Sequence, residues 1–259
     1  MRRRAQSRIA QDQPILEEIR RIKAEHPLWG HRRVWAYLRY RQHVIVGKNR
    51  IYRLMSEHTL LVKKNERLLA KRGADRPKPQ ATRPNQIWGI DMTKIKMTNF
   101  GWVYLHVVLD WFTKEIVGYS VSLQSKTHAW LEALNQAVNA RFPNGIRDSA
   151  ATLNLVSDNG CQPTSEAFIK ACGQLNINQI FTTWNNPKGN ADTERVMRTI
   201  KEDLVWTRDW DNPFAFESTL AQWIGRYNTD FPHQALAYSV PTEFYQNFMS
   251  LELSLKPLA

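Results

Sequence analysis

Asp91, Asp158 and Glu194 are the residues whose types and settings point to chemistry. Asp91 sits in the middle of the apolar run "IWGIDMT", where a carboxylate costs free energy unless it is paired or holds a metal. Asp158 follows "LNLV", at the carboxyl end of a second apolar run, the end at which sheets alternating with helices place their sites. Glu194 stands on the first turn of "ADTERVMRTIKEDL", just after the loop "NNPKGN". Three acidic oxygen donors suit magnesium or manganese, hard cations that tolerate several waters and substrate phosphates. Two such ions per site, about 3.5–4 Å apart, can activate an attacking oxygen and stabilise a leaving one. Arg198 and Lys201 lie four and seven residues after Glu194, on the same side of a helix at about 100° per residue. They predict contact with phosphate, as does Lys188 in the loop.

Each carboxylate taken alone has an ordinary reading. Asp158 in "SDNG" fits a plain turn, and Glu194 suits the positive end of a helix. Asp192 points away from Glu194 and reads as a helix cap, and Asp110, ending a strand before a turn, reads as structural. Joint placement on a first strand, a fourth strand and a last helix favours the three acids acting together.

The elements that would position them follow from periodicity. Residues 86–95, 102–111 and 115–122 read as strands, with Gly101 turning the first pair. A helix over 126–142, a strand over 153–160, a helix over 165–175 and a strand over 177–182 follow, then the helix of Glu194. On that helix Val196, Met197, Ile200 and Leu204 form the face expected to be buried. A three-strand meander followed by alternating strands and helices predicts an α/β fold: a ribonuclease-H-like mixed five-stranded sheet flanked by helices.

Charge divides the 259 residues further. The net charge is +12, but residues 1–80 hold 21 Lys and Arg against 7 Asp and Glu, while residues 81–259 hold 15 against 17. Such asymmetry predicts a polyanion-binding module joined to a nearly neutral one. Helices over 14–26, 31–42 and 48–58 fit a small all-α helix-turn-helix. Its first two helices bury Ile15, Ile19 and Ile22, and Val34, Trp35 and Leu38. The third buries Ile51, Leu54 and Met55 and leaves Lys48, Asn49, Arg50 and Arg53 facing outward, toward DNA. The predicted organisation is this module over 1–62, a basic Pro-containing linker over 63–84, a catalytic core over 85–210 and a C-terminal helical extension over 211–259. Cys161 and Cys172 match no metal or redox spacing, and no apolar run follows the basic start or approaches the length of a membrane span. The expectation is a cytoplasmic protein.

These residues carry a family resemblance. Thirty-five residues separate Asp158 from Glu194, and Lys201 follows seven later. With the aspartate on the first strand, that spacing resembles the Asp-Asp-Glu signature of retroviral integrases and bacterial insertion-sequence transposases. "HPLWGHRRVWAYLR" and "KNRIYRLMSEHTL" resemble the helix-turn-helix of transposases encoded by an element's second reading frame. "RPNQIWGIDMTKI" is similar to their first core strand, and "RYNTDFPHQALAYSVPTEFY" to their C-terminal signature. Phe231 stands where the family usually has Arg, and Cys161 and Pro163 where it has Ser and an aromatic. The resemblance implies nicking at the element's ends and strand transfer by the freed 3′ hydroxyl, with Asp91, Asp158 and Glu194 holding the metal. It also implies a homo-oligomer on insertion-sequence ends and target DNA, on the bacterial nucleoid, and fusion to an upstream reading-frame product. Two other readings stay open: a nuclease that cuts without joining, and a non-catalytic DNA-binding regulator or remnant.

Overall fold

A computed structural model of the chain describes residues 6–62, 79–148, 152–182 and 189–254. They form two compact units, one of residues 6–62 with Asp230–Val240, the other of residues 79–229 with 241–254.

The first unit contains α1 (Gln6–Glu25), α2 (His31–Ala36) and α3 (Lys48–Glu57). Apolar side chains at helical spacing meet at its centre: Leu16, Ile19 and Ile22, Val34 and Leu38, and Ile51, Leu54 and Met55 are all buried. Leu16 rather than Ile15 takes the core position. α1 begins eight residues before Pro14, which lies inside it; a proline removes one hydrogen bond but does not forbid the turns before it. The helix expected to run to residue 42 is α-helical only to Ala36 and continues as a wider π-helical turn over Tyr37–Arg41.

Residues from far along the chain complete this unit. Phe231 is 1% exposed and meets the rings of Trp29 and His26 edge-on. Asp230 accepts from the Tyr37 hydroxyl at 3.2 Å and from Arg41 Nε at 3.1 Å. Tyr238 packs against Trp35 and Tyr40. The segment expected within the C-terminal extension of the core therefore belongs, over Asp230–Val240, to the helix-turn-helix unit. The reason is apolar: Phe231 supplies a large ring that this small module buries.

The second unit is built on one sheet of β1 (Ile87–Met97), β2 (Gly101–Asp110), β3 (Ile116–Ser122), β4 (Leu153–Ser157) and β5 (Ile177–Phe181), in the order β3-β2-β1-β4-β5. β1 pairs antiparallel with β2 and parallel with β4; β4 pairs parallel with β5. Gly101, at φ +74°, makes the turn from β1 into β2 without the steric cost a side chain would bring. Trp88, Ile90 and Val108 on one sheet face pack with Trp130, Leu134 and Val138 of α4 (Thr127–Arg141) and Phe168 of α5 (Glu166–Gln174). The opposite face meets α6 (Ala191–Asp203), and α7 (Pro213–Asp230) and α8 (Pro241–Ser254) follow. Asn228 of α7 clasps the start of β3, accepting from Ile116 N at 3.0 Å and donating to Ile116 O at 2.9 Å. The Tyr-Asn pair of the C-terminal signature is thus structural, since the Tyr227 hydroxyl also donates to Lys114 O.

Candidate active site

Parallel pairing brings Asp91 and Asp158 together. Trp88 is in register with Leu155 and Gly89 with Val156; two residues further on, Asp91 and Asp158 fall level where the strands part. Alternation puts Asp91 on the same face as Gly89, the face that α6 covers.

Gly89 determines how closely α6 approaches. A Cβ placed there would lie 2.0 Å from Thr193 Oγ1, 2.4 Å from Trp111 Nε1 and 2.8 Å from Asn190 Oδ1. Only a hydrogen fits between β1 and the first turn of α6. Trp111 Nε1 donates to Thr193 Oγ1 at 3.1 Å, with both groups buried, and Asn190 Nδ2 reaches Ile90 O at 3.4 Å. Lys114 Nζ pairs with Asp192 at 3.0 Å. Three contacts just before Glu194 therefore tie its helix to the sheet, one to β1 itself and two to the residues that follow β2. Asp192 is an ion-pair partner within the first turn, whereas Asn190 occupies the cap position where Asp192 was expected to act. Lys114 draws it into the sheet side. Sequence reasoning passed over Gly89, although a glycine inside an apolar strand, two residues from an acid, signals close approach of another backbone.

The expected buried face of α6 is buried: Val196, Met197, Ile200 and Leu204 are at most 5% exposed. Glu194 lies at its border and is exposed. Asp91 registers the charges around it. Its carboxyl is pushed up to about 6, first by burial and then by the like charges of Asp158 and Glu194, while the Met92 N–H bond and the Lys201 ammonium oppose the rise. Asp158, Glu194 and Lys201 thus all lie near enough to act on Asp91 through space. Among the described residues, however, no three His, Cys, Asp or Glu side chains are close enough to hold a metal ion. The three carboxylates share a field but are not gathered to ligand distance. Their chemistry still fits a hard divalent cation, since Asp91 is a desolvated carboxylate between two like charges. Asp158 also accepts from Gly160 N at 3.0 Å, the turn bond expected of "SDNG".

The predicted DNA contacts divide. Lys201 lies beside the acids, whereas Arg198 is tied to Glu202 at 2.6 Å on the exposed side of α6. Lys188 lies outside the described residues. On α3, Lys48 and Asn49 are exposed. Arg50 and Arg53 do not simply face outward: each donates to Asp12 of α1 at 2.7 Å, drawn inward by that carboxylate. Asp110 is structural as expected, fully buried and accepting from the backbone of Asn85, Phe112 and Thr113.

This mixed sheet, with an acid on the central strand and α6 laid against it, has the ribonuclease-H-like architecture of the integrases. Models of the integrase core domain match residues 81–187 and 175–241, and a model of an HTH-like domain matches residues 10–67. The transposase for insertion sequence element IS629 of Shigella sonnei is 30% identical over 247 residues, 92% of this chain and 80% of that protein. Transposase InsD of the Escherichia coli element IS2 is 25% identical over 243 residues, again 92% of this chain and 80% of the relative. The simian T-cell lymphotropic virus intasome, solved with a PP2A regulatory subunit, has a chain that superposes with a TM-score of 0.51 at 17% identity, covering 81% of this chain and 73% of its own. The chain belongs to the insertion-sequence transposase family.

Proposed function

We propose that the chain is an Asp-Asp-Glu transposase that nicks DNA at insertion-sequence ends and transfers the freed 3′ end to a target. The observation that carries this reading is the placement of Asp91 and Asp158 level where β1 and β4 part, with Glu194 and Lys201 of α6 near enough to act on the buried Asp91 carboxylate. Asp91, Asp158 and Glu194 would hold magnesium or manganese. Bound there, a pair of ions supplies Lewis acidity to the phosphodiester and to the attacking oxygen. Lys201 meets the phosphate that enters beside the acids, and the α6 latch holds Glu194 in reach of Asp91. Nicking is hydrolysis, in which water adds to phosphorus and the 3′ oxygen leaves as a hydroxyl. In joining, that hydroxyl takes the place of water, so one site serves both steps.

The first unit binds the element's ends through Lys48 and Asn49 of α3, with Arg50 and Arg53 bracing α3 on Asp12. On this reading the protein works on the nucleoid as a homo-oligomer and as a fusion with its upstream reading-frame product. No helix among the described residues is long and apolar enough to cross a membrane. The test uses a labelled duplex carrying the native element's end, with magnesium or manganese. Wild type should nick and join, and Glu194→Gln should lose both by at least about a hundredfold, the scale of losing one electrostatic stabiliser. Nicking without joining would assign a nuclease instead. Silence of the chain fused to its upstream reading frame would assign a DNA-binding regulator.

A further inference from the structure

The far half of the β1–β2 hairpin has one face that no part of the core explains. Ile95, Met97, Val103 and Leu105 on its inner face are at most 3% exposed. The outer face carries Lys94 opposite Tyr104 and Lys96 opposite Trp102. The helical layer covers this face only near Trp88, Ile90 and Val108, with Met92 at its border. Beyond Met92, the β3 partner of Tyr104 is the small Ser122. Trp102 is therefore 45% exposed, Phe100 at the tip is 50% exposed, and both lysines are exposed. The Lys94 ammonium lies 4.6 Å from the centre of the Trp102 ring.

An open indole on a sheet face costs hydration free energy that its contact with Lys94 offsets only in part. Its immediate surroundings are two cations, a tyrosine and a serine, with no carboxylate in the paired positions. Lys94 and Lys96 are two residues apart, so their positions are separated by about 7 Å along the strand. A flat aromatic flanked by evenly spaced ammonium groups matches one ligand chemistry, a nucleobase stacked on the ring with its phosphates on the lysines. A second protein copy would be expected to find apolar neighbours beside the tryptophan rather than lysines.

The strand edge gives this surface a route to the acids. β1 pairs with β4 only from Ile87 to Gly89, so from Asp91 to Met97 its β4-side edge has no strand partner among the described residues. Asp91 and Lys94 are three residues apart, about 10 Å along β1, on opposite faces. A nucleic-acid strand passing over that edge can occupy both.

We infer that the Lys94–Lys96–Trp102–Tyr104 face is a binding platform for unpaired DNA next to the cut. The inference rests on the transposase reading for the DNA's role, but its test needs neither metal nor catalysis. Full-length protein in EDTA is titrated with a fluorescein-labelled single-stranded oligothymidylate, and a 5-iodouridine version is photocrosslinked and the adduct mapped. Trp102 should be the crosslinked residue. Trp102→Leu should weaken binding by about five- to a hundredfold, the range for losing one base stack, and Trp102→Tyr should restore most of it. Lys94→Gln with Lys96→Gln should lower the slope of log affinity against log salt by about 1.4, at about 0.7 per single-strand contact. Unchanged affinity in Trp102→Leu, or a crosslink confined to residues 6–62, overturns the inference. So does a Trp102→Leu variant that binds oligothymidylate normally but loses self-association in sedimentation. Failure here with intact nicking refutes the platform alone; binding here without nicking refutes only the transposase reading.

Discussion

Replacing Asp91 by Asn should make the ligand-free protein more stable, because the native carboxylate is held where its charge is disfavoured. Its pKa rises from 3.8 to about 6. At about 1.4 kcal/mol for each tenfold change in proton affinity, the ionised form costs the fold up to about 3 kcal/mol. Partial exposure of the side chain brings that nearer about 2 kcal/mol. The sign follows from linkage. Between pH 3.8 and 6 the folded state binds more protons than the unfolded state, so stability falls as pH rises through this window. The full cost is present above about pH 6 and absent below about pH 4. Asn keeps the shape and can still accept from Met92 N, which donates to Asp91 Oδ1 at 2.8 Å.

Thermal melts in EDTA should therefore place Asp91→Asn about 4–8 °C above wild type at pH 7.5, at about 2–4 °C per kcal/mol for a unit of this size. The two curves should converge at pH 4. Manganese reverses the order. A divalent ion bound to the native acids at a hundredfold excess over its dissociation constant would add about 2.7 kcal/mol to wild type and little to the variant. Equal melting in EDTA at pH 7.5 would refute the field argued for Asp91. A difference that persisted at pH 4 would assign the effect to packing rather than charge. Equal stabilisation of both proteins by manganese would place the ion elsewhere.

Two further perturbations probe the supports of the site and of the DNA-binding unit. Gly89→Ala should force α6 off β1, since no methyl fits 2.0 Å from Thr193 Oγ1; the expected cost is about 1–3 kcal/mol, with loss of nicking out of proportion to the fall in melting temperature. Full activity in that variant would refute the latch. Phe231→Ala should cost the helix-turn-helix unit about 3–5 kcal/mol and abolish salt-sensitive duplex binding, while amide exchange over β1 to β5 stays unchanged. Duplex binding that survived would show that Trp29 and His26 do not need this ring.

Periodicity in the sequence carries a great deal of this structure, for a physical reason. A strand or helix that buries one face must repeat its apolar residues at its own period, so the five strands and the buried face of α6 are visible without coordinates. The acids are visible because a charge in an apolar run is anomalous. The helix-turn-helix charges are visible too, but their destinations are not: Arg50 and Arg53 read as outward cations until Asp12 is seen beneath them. The position of Asp230–Val240 is equally hidden. Its residues have no strong period, and the partner of Phe231 lies about two hundred residues earlier in the chain.

Gly89 shows why the site itself was only half legible. That Asp91 and Asp158 come level can be read from their strands, because the order of elements puts β4 beside β1. How near α6 comes depends on a missing side chain, on an indole N–H at Trp111 and on a hydroxyl at Thr193, three groups with no shared period. The approach of α6 to β1 is thus governed by contacts outside the acidic set. Gly89, Trp111 and Thr193 hold the first turn of α6 against the sheet, while burial and then the like charges of Asp158 and Glu194 act on Asp91. On the transposase reading, a cation bound there would offset the burial and like charge that Asp91 carries, an attraction the protein alone lacks.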